Sequence, residues 1–212
     1  MPPTACPLCG SDAVRPAARA HGRDYFACEV CALAFLSPAQ RLSPTEERAR
    51  YEQHENDPAD ARYRTFLARL AAPLMAHLQA GATGLDYGAG PGPALSVMLE
   101  EAGFPTAIYD PFFAPDPGPL SRTYDFVTCT ETFEHFFAPA RELEQLDALL
   151  RPGGWLAVMT ELRDGQDLEK WWYVRDPTHV CFYAAQTLEW IAASRGWRLE
   201  RPRASVALFH KP

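Results

Sequence analysis

From residue 84 to the C-terminus, short apolar runs alternate with segments of helical period, and this alternation constrains the fold more than any other feature. Runs at 84–87, 106–110, 125–130, 155–160, 197–200 and 205–209 read as strands. Segments 94–102, 139–150 and 184–194 repeat their apolar residues at three- and four-residue steps and read as helices. Strands joined through crossover helices come out parallel, so the expectation is a doubly wound α/β sheet. One interval breaks the rhythm. Between Asp110 and Tyr124 lie 13 residues, and Pro111, Pro115, Pro117 and Pro119 are among them. That is too short and too Pro-rich for a helix and a full strand, so the crossover should be trimmed to a loop and a short third strand. Upstream, Tyr63, Phe66, Leu67, Leu70, Leu74 and Leu78 mark a helix beginning at Ala61, which Pro73 should kink or divide.

The N-terminal segment follows another rule. Cys6, Cys9, Cys28 and Cys31 form a C-x2-C-x18-C-x2-C pattern. Each CxxC turn lets two thiolates face one ion, and two such turns complete a tetrahedral sulfur shell; a redox dithiol is the alternative. Four thiolates leave no open position, so the zinc should be structural, holding a module too small to build its own core. The organisation expected is a zinc ribbon over 1–40, a polar linker with one short helix over 41–60, and a catalytic domain over 61–212. Tyr51, His54 and Asn56 lie in that linker, either capping the active site or facing solvent. Cys129 and Cys181 sit in apolar surroundings and read as packing residues.

Composition removes several function classes. No apolar run approaches the length that spans a bilayer, and MPPTACPLCG has no charged or apolar leader, so a cytoplasmic protein is expected. A formal charge of −7 argues against broad attraction to nucleic acid, which depends on basic side chains neutralising phosphates. Nothing in the pattern speaks to oligomeric state.

Asp86-Tyr87-Gly88-Ala89-Gly90-Pro91-Gly92 follows an apolar segment and opens a helix. Glycines there let the backbone turn sharply and approach a ligand at a helix N-terminus. Asp110 ends the next strand, where a carboxylate can accept from ribose hydroxyls. With YDFVTCTETFEHF and LLRPGGWLAVMTE, these segments resemble the successive motifs of the Rossmann-like class I S-adenosylmethionine-dependent methyltransferases. The resemblance covers about residues 60–212. It implies S-adenosylmethionine as cofactor, with Asp86, Gly88, Gly90 and Gly92 along its methionine and ribose side and Asp110 on the ribose.

Glu131, Glu134 and His135 follow the fourth strand at the edge where open α/β sheets bind ligands. On a helical turn they would share one face. With His179 from the later Asp176–Tyr183 segment, they offer a mixed oxygen and nitrogen shell for a divalent ion such as Mg, Mn, Fe or Zn. The ExxEH…H arrangement is similar to that of RNA 3′-terminal 2′-O-methyltransferases and ubiquinone-pathway O-methyltransferases, which implies a second metal at the acceptor oxygens. A metal-free histidine base, His135 or His179, and a purely structural role are the other readings. Of the adjacent Trp171 and Trp172, only one can face a strand's core side; the other, taken as Trp172, would line the substrate cavity. Arg175 could grip an acidic substrate group.

The leading activity is O-methylation of a small-molecule acceptor, with or without a divalent ion. The alternatives are C- or N-methylation of a sugar or secondary metabolite with a histidine base, RNA 2′-O-methylation, and an inactive adaptor that keeps the fold.

Overall fold

The computed structural model describes residues 3–53 and 56–212. The N-terminal module is a hairpin of β1 (Val14–Ala20) and β2 (Arg23–Cys28), with β3 (Ala34–Leu36) added to β2. Its connection is the two-residue turn His21-Gly22, with φ of 51° and 76°. Both being left-handed matches the right-handed twist of the flanking strands. Two further left-handed residues, Gly10 at 73° and Ala32 at 59°, close the two cysteine turns.

The expected linker is not featureless. Helix α1 (Pro44–Tyr51) starts at Ser43, whose side chain accepts from the Glu46 amide while Glu46 reaches back to the Ser43 amide. Helix α2 (Ala61–Met75) is capped by Asp60. Pro73 lies in its last turn, where its missing N–H leaves the Arg69 carbonyl without its helical donor, and α2 ends two residues later, at Met75.

The remainder runs β4 (Gly84–Tyr87), α3 (Ala94–Glu101), β5 (Thr106–Tyr109), β6 (Tyr124–Thr130), α4 (Pro139–Leu149), β7 (Leu150–Met159), β8 (Cys181–Phe182), α5 (Ala185–Arg195), β9 (Arg198–Arg203) and β10 (Val206–His210). The main sheet has the order β5-β4-β6-β7-β10-β9, parallel from β5 to β7. Its last two strands form an antiparallel hairpin, because only Ala204 and Ser205 separate β9 from β10 and so short a turn cannot carry a crossover. In place of the expected short third strand there is a single bridge, Asp110 to Ala114, followed by a 3-10 turn.

Strand alternation sorts the core into two layers. Phe126, Trp155, Ala157, Met159, Val206 and Leu208 meet Leu67, Leu70, Leu74, Leu95 and Leu99 of α2 and α3. Their neighbours Val127, Cys129, Leu156, Val158, Ala207 and Phe209 meet α4 and α5. That second layer continues without a break into Tyr25, Leu33, Phe35 and Leu36 of the N-terminal module. Cys129 and Cys181 are buried within it, as packing residues should be.

One junction was not legible in the sequence. β8 pairs antiparallel with β3, through Ala34 opposite Phe182 and Phe35 opposite Cys181. Arg163 donates to the Ala32 carbonyl at 2.7 and 3.1 Å, and Arg23 donates to the Val174 and Asp176 carbonyls at 2.5 and 3.3 Å. The cysteine-bearing module is therefore bonded to the segment that carries His179.

Candidate functional site

The four cysteines converge as their spacing demands. The sulfurs of Cys6 and Cys31 lie 3.6 Å apart, those of Cys9 and Cys28 3.4 Å apart, and all four lie within 4.8 Å of one another. A tetrahedral ion with bonds of about 2.3 Å places its sulfurs roughly 3.8 Å apart, so the cluster fits zinc.

A cavity of about 610 Å³ opens at the C-terminal ends of β4, β5 and β6, where the strand order reverses. Its floor is the glycine turn. Gly88 has a φ of 81°, and a Cβ there would meet the Thr132 side chain at 2.5 Å. A Cβ on Gly92 would fall 1.7 Å from the Asn56 carbonyl oxygen, so the segment after α1 lies directly on the loop. Asp110 holds this floor in place. One of its oxygens accepts from the Gly90 amide at 2.9 Å, and the other from the amides of Phe112 and Phe113 at 2.8 and 3.0 Å. Three accepted bonds leave the carboxylate with capacity for a further donor. Tyr87, an uncommon neighbour for such a loop, is buried and donates its hydroxyl to Glu142 of α4 at 2.6 Å. Thr130, also on the cavity wall, has a buried hydroxyl without a partner among the described residues. A tight glycine floor, an acidic strand end and an orphaned hydroxyl together fit a bound S-adenosylmethionine.

Burial pushes the Asp86 carboxyl up to about 6, partly offset by the bond it accepts from Thr128 at 2.7 Å. Below about pH 4 the group is protonated in both folded and unfolded chains and carries no penalty. Between about pH 4 and pH 6 the unfolded chain ionises while the folded carboxyl stays protonated, so a destabilising penalty builds over that window and is complete above pH 6. Asp86→Asn should therefore stabilise the ligand-free protein by about 1–3 kcal/mol at pH 7.5 and by nothing measurable at pH 4. It should weaken cofactor binding at the same time. Thermal melts at the two pH values, with S-adenosylhomocysteine titrations, check both parts.

The ExxEH segment folds differently from the helical turn expected. Glu131 takes a φ of 50°, outside any helix, and only residues Phe133–His135 form a 3-10 turn. A left-handed glutamate is strained, and such strain gathers at functional sites. The turn is fastened to the later segment: the Val180 amide donates to the Glu134 carbonyl at 2.8 Å, and the Tyr183 hydroxyl to the Phe133 carbonyl at 3.1 Å. Glu134, His135 and His179 thereby come together, with ligand atoms within 4.8 Å of one another. Glu131 stands outside that group, since its reversed backbone removes it from the shared face.

Both imidazoles are held through Nδ1. His135 Nδ1 lies 3.1 Å from the Thr178 carbonyl and His179 Nδ1 lies 2.8 Å from the Tyr173 carbonyl. A carbonyl only accepts, so each Nδ1 carries a proton, and Nε2 is the atom of each ring turned to other partners; that of His135 lies 3.9 Å from a Glu134 oxygen. Burial is the largest influence on His179 and pushes it down to about 4, leaving it neutral at pH 7. Glu134 is fully buried and accepts from Tyr173 at 2.5 Å and from Thr160 at 2.8 Å. Tyr173 also reaches Glu131 at 3.4 Å. Burial, then the charge of Glu134, pushes the Glu131 carboxyl up to about 9, so Glu131 is protonated at neutral pH.

Trp171 is buried, whereas Trp172 is 59% exposed and lines the cavity. Arg175 is exposed and is not among the described residues lining it. Tyr51 and Asn56 do line it, while His54 lies outside the described residues. Sequence reading missed Tyr173, Thr160, Glu47 and Asp176. A tyrosine two residues beyond Trp171 was within sight, but nothing in the pattern marked it as the partner of Glu134.

A doubly wound sheet with a glycine turn, an acidic strand end and a charged cavity at its switch point suits an S-adenosylmethionine-dependent methyltransferase or a dinucleotide enzyme, and the family match decides for the first. Residues 51–201 match the Methyltransferase domain family, and the chain belongs to that family. Among solved structures it is similar to the 1,6-didemethyltoxoflavin-N1-methyltransferase of Burkholderia thailandensis, crystallised with 1,6-didemethyltoxoflavin and S-adenosylhomocysteine. The identity is 19%, the TM-score 0.57, and the match covers 93% of this chain and 99% of that one. It is also similar to an O-methyltransferase family protein from the same organism, at 19% identity and TM-score 0.50 over 77% of this chain and 61% of that one. A methyltransferase from Aquifex aeolicus matches at 18% identity and TM-score 0.50, over 80% of this chain and 98% of that one. No curated protein matches. No described helix is long and apolar enough to cross a membrane.

Proposed function

We propose that this enzyme transfers the methyl group of S-adenosylmethionine to a hydroxyl oxygen of a small-molecule acceptor in the cytoplasm. In this reading Glu134, His135 and His179 hold a divalent ion, Cys6, Cys9, Cys28 and Cys31 hold a structural zinc, and residues 61–212 form the catalytic domain. The observation that carries it is the pair of imidazoles facing a buried carboxylate, each fixed by a backbone carbonyl at Nδ1, with ligand atoms of all three residues within 4.8 Å of one another. Outer hydrogen bonds of that kind fix the tautomer and raise ligand basicity at metal-binding histidines. A divalent ion bound there supplies Lewis acidity, lowering the pKa of an acceptor hydroxyl.

The chain's own residues do the rest. Asp110 keeps the glycine turn closed and takes a ribose hydroxyl. Asp86 would lie on the methionine and ribose side of a bound S-adenosylmethionine, whose positive charge would offset its buried carboxylate. Asn56 lies against Gly90 and Gly92 and so covers the loop. Methyl transfer is an in-line displacement at a sulfonium carbon, so alignment of acceptor oxygen and methyl group is the main demand on the site.

The test has two parts. Calorimetry should show one S-adenosylhomocysteine per chain, with affinity about 10- to 100-fold lower in Asp110→Ala, as expected when a charge-assisted bond is lost. Product analysis with a catechol acceptor should show the new methyl on oxygen. A product methylated on carbon or nitrogen, or a chain that ignores the cofactor product, would contradict the assignment.

A further inference from the structure

Among the described residues that line the cavity there is no lysine and no arginine. Around His135 the wall offers carboxylates, from Glu47, Glu134 and Asp176, and aromatic rings, from Tyr51, Phe112 and Trp172. Two arginines lie close by: Arg41, near enough that its charge acts on Glu47, and Arg50. Arg41 sits 4.9 Å over the ring of Phe137, and Arg50 places two nitrogens on one Asp176 oxygen, at 2.8 and 3.0 Å. Neither lines the cavity.

Glu47 is the acid with no place in the chemistry described so far. It is buried on α1, four residues before Tyr51 and hence on the same face, and accepts the Tyr51 hydroxyl at 3.2 Å. The Tyr51 ring stands edge-on to His135 at 5.2 Å and lies 5.4 Å from Phe112. The Ser43–Glu46 cap fixes the start of α1 and the Arg50–Asp176 pair fixes its end, so Glu47 is held at the same end of the cavity as His135. A phosphate or carboxylate entering here would give up its water and meet the Glu47 and Asp176 carboxylates, with no lysine or arginine among the described lining residues to receive it. An uncharged ring would meet edges and faces of aromatic side chains.

We propose that Glu47, presented by α1, makes the acceptor end select against anionic groups, so that the acceptor is an aromatic hydroxyl compound with uncharged or cationic ring substituents. This rests on the O-methyltransferase reading above and adds the acceptor's class to it. The polar segment between the cysteine module and the catalytic sheet then acts as the specificity wall.

Three catechols that share one diol and differ in a single substituent test it: 4-methylcatechol, 3,4-dihydroxybenzylamine and 3,4-dihydroxybenzoate. Any contribution of Glu134, His135 and His179 to diol binding is common to all three. Calorimetry on the full chain saturated with S-adenosylhomocysteine should show the benzoate at least about 10-fold weaker than 4-methylcatechol, and the benzylamine at least as tight. Glu47→Gln should narrow the benzoate gap about 3-fold or more, and Glu47→Asp should keep it. A packing defect at position 47 would instead weaken all three by the same factor. A benzoate that binds as tightly as 4-methylcatechol overturns the proposal, as does a gap unchanged in Glu47→Gln. Failure of all three to bind a chain that does bind S-adenosylhomocysteine overturns the acceptor class while leaving the methyltransferase reading intact. Failure to bind S-adenosylhomocysteine at all overturns both.

Discussion

Replacing Cys28 and Cys31 by serine should lower the thermal midpoint by more than about 10 °C, because the loss reaches beyond the N-terminal module. A four-thiolate zinc contributes about 10–16 kcal/mol of apparent binding free energy in zinc-finger peptides. Even a third of that is a large share of the roughly 5–15 kcal/mol that separates folded from unfolded chains. For a chain of this size each 1 kcal/mol moves the midpoint by roughly 2–4 °C. The module has no core of its own to fall back on: Tyr25, Leu33, Phe35 and Leu36 belong to the layer that packs α4 and α5 against the sheet. The β3–β8 pairing and the Arg23 bonds to the Val174 and Asp176 carbonyls should fail with it, freeing the loop that positions His179. Calorimetric melts, with amide exchange read over residues 174–183, check both effects. A midpoint shift under about 2 °C, which corresponds to at most 1 kcal/mol, would show that the cluster bears little of the fold.

Glu134→Ala should lower the rate of methyl transfer to 4-methylcatechol by at least about 100-fold, the upper range seen when even the outer partners of a metal site are removed. It should also cost stability. The Tyr173 and Thr160 hydroxyls both donate into this carboxylate, and losing their buried acceptor costs about 1–3 kcal/mol. Glu134→Gln separates the two effects, since an amide of the same shape retains one accepting oxygen and the packing. It should recover most of the midpoint and little of the rate. Recovery of both would assign Glu134 a structural role and move the chemistry to a histidine base.

Local signals made most of the sheet legible. The edges of β4, β5 and β6 follow from apolar runs ended by Tyr87-Gly88, Asp110 and Thr130-Glu131, and the prolines after Asp110 marked the trimmed crossover, though the short strand expected there is only a bridge. The cysteine spacing and the glycine turn could be read because each carries its geometry in a few consecutive residues. Long-range pairing left no such trace. β8 is two residues long, so no periodicity announces it, yet it joins Phe35 to Cys181 across the whole chain. Glu47 was hidden for a related reason: α1 is mostly polar, and only its position over the cavity makes one acid buried. The helical face assumed for Glu131, Glu134 and His135 failed because the backbone reverses at Glu131, and no residue type there signals a positive φ.

Metal stoichiometry per chain, by plasma mass spectrometry, tests the central claim most directly. The protein would be loaded with Zn²⁺ and then with Mn²⁺ or Mg²⁺, dialysed, and compared with a Glu134→Ala/His179→Ala variant. The account predicts two ions in the wild type, one zinc on the four cysteines and one further ion at the cavity, with the second alone lost in the variant. A single zinc in both proteins would contradict it and leave His135 or His179 as an unassisted base.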